Sequence, residues 1–428
     1  MTPTEASAAE HPSLDLDEVR RHFPAFDAAI NNGESFFENA GGSWPCRQTI
    51  DALHDYYTNT KVQPYAAYGS SAHAGESMDR STQRWAEALG VGVDEVSFGP
   101  STSTNTYVLA TAFGELLGAG DEVIVTNQDH EANTGAIRRS AAAAGATVRE
   151  WRTDPATGLL DPAGLESLLS DATRLVTFPH CSNIVGQEND VQALCAMAHD
   201  AGARVIVDAV SYAPHSFADV AALDPDVYLF SLYKTYSVHQ GLMVHRRGIV
   251  DELPNQGHGF NSHLPNKRLT PSGPDHAQIA AADAVLDYVE VLDQHHFPTA
   301  ARGDLRASCD RVSALWRAHE DSLVRPVLDM LAAHPGARLL GPGADDAPGH
   351  RCPTVAFVPR GASPADVAHR LVAEGIQCSA GTFYADRVLD GLDVSLDTGV
   401  VRVSWVHYTG PDEIESLLRA LDVALSES

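Results

Sequence analysis

From about residue 36 to residue 241, short runs of β-branched and apolar residues alternate with alanine-rich stretches of helical length. That alternation demands a mostly parallel sheet covered by helices. The clearest strands are EVIVT (122–126), RLVTF (174–178), RVIVDA (204–209) and VYLFS (227–231). Each runs into a polar corner: NQDHEAN, PHCSN, VSYAPHS and LYKTYS. In open α/β sheets ligands bind at the C-terminal ends of the strands, so these corners are where the chemistry is expected.

Beyond GHGFNSHLPNKRLTPSGP, the stretches 276–290 and 302–333 read as long helices, the second leading into a new unit. The remainder holds strand patterns at 354–358 and 401–405 and amphipathic helices at 364–374 and 412–425, a small α+β domain. The expected division is a large domain over 36–300, a smaller C-terminal domain over 301–428, and an arm over 1–35 returning onto the smaller domain. LDEVRRHFPAF in that arm has helical spacing but too little apolar surface to stand alone.

A formal charge of −28 repels nucleic-acid phosphates and anionic membrane surfaces, which excludes nucleic acid as an expected partner. No apolar run approaches the ~20 residues of a membrane span, and the polar, acidic N-terminus lacks the order of a secretory signal. A cytoplasmic enzyme without membrane contact is expected. The six cysteines are scattered, without zinc spacing, so reduced thiols and no metal are expected. Neither GxxxxGK[ST] nor GxGxxG occurs in the right setting, which removes the usual phosphate cradles of nucleotide-triphosphate and nicotinamide enzymes.

The chain contains only three lysines, Lys61, Lys234 and Lys267. Lys234 follows the apolar strand VYLFS, where a lysine of lowered pKa could form a Schiff base; the plain alternative is a surface lysine. Pyridoxal 5′-phosphate (PLP) also needs a carboxylate on its pyridine nitrogen, and Asp208 ends the apolar run RVIVD. Asp208 alone would equally suit a Walker B acid or a helix cap; together with Lys234 it favours PLP. His130 could stack on a pyridine ring or simply bond to backbone. The run Ser101 to Thr104 before an apolar helix suits a phosphate, and as a bare feature is an N-cap box.

In order along the chain stand ENAGG, FGPSTST, DHEAN, HCSNIVGQEN, VDAVSYAPH, SLYK and VRVSW. With these motifs the chain resembles the cysteine desulfurase-like branch of the class V aminotransferases, which includes selenocysteine lyases and isopenicillin N epimerase-like proteins. The resemblance implies the PLP-dependent transferase fold type I, with a mostly parallel seven-stranded sheet in the large domain. It implies that His130 stacks on the cofactor, Asn183 bonds its phenolic oxygen, Asp208 pairs with its pyridine nitrogen and Lys234 carries it. Thr102, Ser103 and Ser231 match the phosphate-cup positions, Arg402 the arginine for a substrate α-carboxylate, and Asn39 and Ala40 the place where substrate and cofactor meet. Gln63, Tyr65 and Tyr68 fall in a loop of the family that contacts substrate.

Several positions depart from that pattern. Ser211 stands where a glutamine supports the phenolic oxygen, and Tyr233 replaces the histidine before the lysine. Gly273 holds a threonine's place, with Ser272 or Thr270 as substitutes. In GIQCSAGTFYAD, Tyr384 occupies the place of the persulfide-forming cysteine, while Cys378 lies six residues earlier. The expected function is therefore chemistry on a small amino acid through an external aldimine and a quinonoid, as a desulfurase-like C–S lyase or β-elimination enzyme without a catalytic cysteine. Tyr384 would serve as a proton donor or acceptor, or as a pocket wall. Epimerisation and transamination are the alternatives, a non-catalytic scaffold a remote one, and a homodimer the expected assembly.

Overall fold

The structure, a computed structural model, describes residues 12–345 and 351–426. Seven strands form the central sheet: β1 (Val96–Gly99), β2 (Glu122–Thr126), β3 (Thr147–Trp151), β4 (Thr173–Pro179), β5 (Arg204–Asp208), β6 (Val227–Ser231) and β7 (Gly241–His245). Their order is β1-β7-β6-β5-β4-β2-β3. Only β7 runs antiparallel to its neighbours β1 and β6; the other pairings are parallel. Strands β6 and β7 are buried at every residue, which is why they read as unbroken apolar runs: helices cover both faces.

Two helices start at the edge of this sheet where the site lies. Helix α1 (Thr102–Gly114) is capped by Ser101, whose hydroxyl oxygen accepts from the Thr104 amide at 3.1 Å. Helix α2 (Glu131–Ala144) is capped by His130, whose Nδ1 accepts from the Ala132 amide at 3.0 Å. The first residue of β7 passes beneath the start of α1. A Cβ on Gly241 would sit 2.5 Å from the Thr102 nitrogen, so only glycine permits that approach.

The helix expected over 276–290 is two helices, His276–Ala281 and Ala284–His296. The break falls at Asp283, whose buried carboxylate accepts from Arg80 and Arg84 at 3.2 and 3.1 Å. The long helix α3 (Leu305–Ala333) serves two cores. Leu305, Cys309, Val312 and Trp316 pack with the central sheet, whereas Leu323, Val327, Leu328 and Leu331 pack with the C-terminal unit. Residues 305–316, which the sequence pattern groups with the smaller domain, thus join the larger core.

The C-terminal unit is an antiparallel sheet of β8 (Ala337–Leu339), β9 (Thr354–Pro359), β10 (Ser379–Gly381) and β11 (Val400–Ser404), ordered β10-β11-β9-β8. Helices α4 (Pro364–Ala373) and α5 (Pro411–Ser426) cover one face through Val367, Leu371, Leu417 and Leu421. The described part of the arm meets both units. Phe23 packs against Tyr288 and Tyr408 at ring distances of 5.4 and 4.8 Å, and Arg20 donates to the Tyr408 carbonyl at 3.0 Å. The strand Ser35–Phe36 then pairs in parallel with Ile376–Gln377. Among the described residues no helix is long and apolar enough to cross a membrane.

Candidate active site

All nine residues singled out for the cofactor line one cleft at the C-terminal ends of the parallel strands: Thr102, Ser103, His130, Asn183, Asp208, Ser211, Ser231, Tyr233 and Lys234. The fold explains the convergence. Asp208 is the last residue of β5, Ser231 the last of β6, and Lys234 ends the single 3-10 turn that follows. Across the cleft the Thr102 and Ser231 hydroxyls share a hydrogen bond of 2.7 Å at the start of α1. The same cleft is lined by Cys181 and Val210, to which the sequence pattern assigned no part.

Lys234 is 8% exposed. Burial pulls its amine down to about 8, Arg402 pushes the same way, and Asp208 and Glu38 oppose. Burial raises the Asp208 carboxyl to about 6, against the Val210 N–H that donates to it at 2.8 Å and the charge of Lys234. His130 is pushed down to about 4, by burial first and then by Lys234 and Arg402. Its ring is therefore neutral near pH 7, and because Nδ1 accepts from the backbone, the proton sits on Nε2. The plain reading of His130 holds, since it bonds to backbone, and its ring also lines the cleft.

Arg402, on β11, faces away from the helix-covered core that Val401 and Val403 enter. It is 3% exposed, with Glu38 on Nη2, the Asn183 carbonyl on Nη1 and the Phe383 ring 3.8 Å from Cζ. Glu38 and Phe383 lie inside motifs already noted, ENAGG and GTFYAD, but nothing in their spacing marks them as partners of Arg402. Tyr384 stands at the rim, 73% exposed, its ring 5.3 Å from that of His130 and its carbonyl accepting from the Glu131 amide at 2.8 Å. Phe383 and Tyr384 both adopt left-handed backbone, φ +52° and +56°, which turns this loop sharply over the cleft.

Asn39 and Ala40 border a small cavity shared with Lys234, Ser211 and His215. The Asn39 amide is taken up by structure: it donates to the Ser404 carbonyl at 3.3 Å and accepts from the Tyr408 hydroxyl. Tyr65 and Tyr68 do not line the cofactor cleft. Tyr65, at φ +71°, lays its ring on Gly75, bonds Asp79 at 2.9 Å, and lines a separate cavity with Lys267 and Thr270. Tyr68 precedes the helix Gly69–Ala88 with its ring largely exposed.

The cleft fits PLP. Asn183 Oδ1 is buried with no partner among the described residues, an acceptor left open for a phenolic hydroxyl, while its Nδ2 donates to the Phe383 carbonyl at 3.0 Å. Thr102 and Ser103 open α1, where backbone amides and the helix dipole suit a phosphate. A buried amine, a buried carboxylate and a flat neutral ring complete the donor set. One check needs no cofactor. Acylation of Lys234 in the apoprotein, followed by peptide mass spectrometry across pH, is expected to show a midpoint near about 8. Asp208→Asn moves it lower, since the lost negative charge had favoured the protonated amine; a wild-type midpoint at the ordinary 10.5 would contradict the site's electrostatics.

A seven-stranded, mostly parallel sheet with a lysine, an aspartate and a helix N-terminus converging at its strand ends defines a PLP-dependent enzyme of fold type I. The chain belongs to the class V aminotransferase family, whose profile, Aminotransferase class-V, matches residues 35–255 and 312–417. It is 32% identical to the aminotransferase-like protein FGM3 of Gibberella zeae, over 96% of this chain and 99% of that one. It is 26% identical to a cysteine desulfurase of Haloferax volcanii, over 96% of this chain and 97% of that one. The apo structure of the cysteine desulfurase from Thermococcus onnurineus superposes with a TM-score of 0.82 at 22% identity, covering 96% and 98% of the two chains, a likeness of fold.

Proposed function

We propose that this enzyme acts on a small amino acid with a cysteine-like β-substituent, as a desulfurase-like C–S lyase that eliminates the substituent without a catalytic cysteine. The observation that carries the reading is the convergence of Lys234, Asp208 and the hydroxyls of α1 in one cleft, with the ring of Tyr384 at its rim.

Thr102, Ser103 and Ser231 would hold the phosphate, Asn183 and Ser211 would support the phenolic oxygen, and Tyr233 and His130 would pack against the ring. Asp208 holds a proton on the pyridine nitrogen. Bound there, PLP supplies an electron sink for the pair left on substrate Cα. Lys234 anchors the cofactor and moves the proton at Cα, its lowered pKa leaving a neutral fraction near pH 8. Asn39 and Ala40 shape the side of the site facing substrate, and Arg402 binds the α-carboxylate. Tyr384 donates a proton to the departing group. A homodimer with its sites near the subunit interface accompanies this reading.

Cys378 is poorly suited to accept sulfur. It packs against the C-terminal core, and burial, reinforced by Glu38, pushes its thiol up to about 12. Cys378→Ser is therefore expected to keep turnover within about twofold, whereas Tyr384→Phe lowers it by about 10²-fold. Reversed results would make Cys378 the acceptor and end the cysteine-free reading. The experiment for the whole proposal is the visible absorbance of the purified protein during titration with L-cysteine and other amino acids, alongside assays for sulfide, pyruvate and inversion at Cα. Sulfide with pyruvate supports elimination. An oxo acid retaining its β-substituent supports amino-group transfer, the reading favoured by the likeness to FGM3.

A further inference from the structure

Before any substrate arrives, three parts of Arg402 are already engaged. Its Nη2 donates to Glu38 Oε1 at 2.9 Å, its Nη1 to the Asn183 carbonyl at 3.2 Å, and the Phe383 ring covers one face at 3.8 Å. Nε is buried and has no partner among the described residues. Glu38 is itself held in place: the Ser379 hydroxyl donates to its other carboxylate oxygen. The glycine at 41 leaves the space that this carboxylate fills, since a Cβ there would lie 2.8 Å from Oε1.

A guanidinium grips a carboxylate best through two parallel N–H groups, and the edge that includes the open Nε is Nε with Nη2. Glu38 holds half of that edge. We infer that Glu38 is a built-in competitor of the substrate carboxylate for Arg402, a positioning residue that also selects against acidic substrates. The inference rests on the reading that Arg402 takes the α-carboxylate. An incoming carboxylate must share Nη2 with Glu38 or displace it, which weakens its binding. A second anionic group on the substrate meets the same carboxylate in a cleft that screens charge poorly, where like charges are strongly disfavoured. The site therefore prefers neutral or cationic side chains, and Glu38 gives Arg402 a partner when the product leaves, sparing a buried unpaired charge.

The test uses the holoenzyme and the isosteric pair L-asparagine and L-aspartate, which differ in the charge of the β-group. The half-saturating concentration of each is read from the cofactor's visible absorbance. In the wild type aspartate is expected to require about tenfold more than asparagine. In Glu38→Gln both values fall, that of aspartate by about tenfold and that of asparagine by about threefold, so that the gap narrows. Glu38→Asp, which keeps the charge, keeps the gap. A merely structural role would raise both values in Glu38→Gln. Unchanged or raised values in that variant, with a wild type that responds, overturn this inference alone. A wild-type spectrum unmoved by any amino acid overturns it together with the substrate reading beneath it.

Discussion

Lys234→Ala is expected to lower turnover by at least about 10³-fold while leaving a folded protein that no longer holds its cofactor covalently. The size of the effect follows from the two tasks assigned to one amine: it anchors the cofactor and moves the proton at Cα. The fold survives because the side chain faces the cleft, and burial already disfavours its charged form. Truncation removes a buried amine without opening the apolar core beneath β6. Borohydride reduction followed by mass spectrometry reads the covalent bond, and circular dichroism reads the fold. An added primary amine such as ethylamine, small enough for the vacated space, is expected to restore part of the turnover, which a folding defect would not allow. Turnover within about tenfold of the wild type would remove Lys234 from the mechanism.

Why this lysine stood out in the sequence, and Glu38 did not, has a physical reason. Parallel strands buried on both faces read as apolar runs, so β2, β4, β5 and β6 announce themselves, and the corners behind them locate His130, Asn183, Asp208 and Lys234. Strand β3 lies at the sheet edge, and the half-buried Arg149 and Glu150, on opposite faces of TVREW, interrupt any apolar run. Strand β1 is four residues long and runs straight into the capping turn of α1. The seven-strand count therefore came from the family resemblance rather than from the pattern. Glu38 meets Arg402 across 364 positions, a pairing set by the parallel bridge of Glu38 with Ser404 and invisible to any local spacing. Tyr65 lies apart from the cofactor cleft for a reason equally invisible to local spacing: its left-handed backbone turns its ring onto Gly75. Helix α3 hid its division because both its halves bury apolar residues, and only the tertiary partners differ.

Asp208→Asn separates catalysis from stability, because the two effects are expected to run in opposite directions. In the apoprotein the buried Asp208 carboxyl is raised from 3.8 to about 6. Its protonated form is thus favoured in the fold, and the associated stability is complete below about 4 and lost as pH rises through about 6. Near pH 7.5 the wild-type apoprotein carries a desolvated charge that costs up to roughly 3 kcal/mol. Asparagine has nearly the same shape, its amide oxygen can still accept from the Val210 N–H, and it carries no charge at any pH. The variant apoprotein is therefore expected to be at least as stable as wild type near pH 7.5 and to lose that advantage below about pH 4. Turnover is expected to fall by about 10²- to 10³-fold, the usual cost of removing a preorganised charge aimed at the reacting system. Asparagine cannot hold the pyridine nitrogen protonated as a carboxylate does. Denaturant melts of the apoprotein at pH 7.5 and pH 4, set beside turnover of the loaded enzyme, read both quantities. A variant less stable at pH 7.5 would mean that Asp208 supports the fold itself, whereas full turnover would mean that the carboxylate at the end of β5 does not face the cofactor's nitrogen.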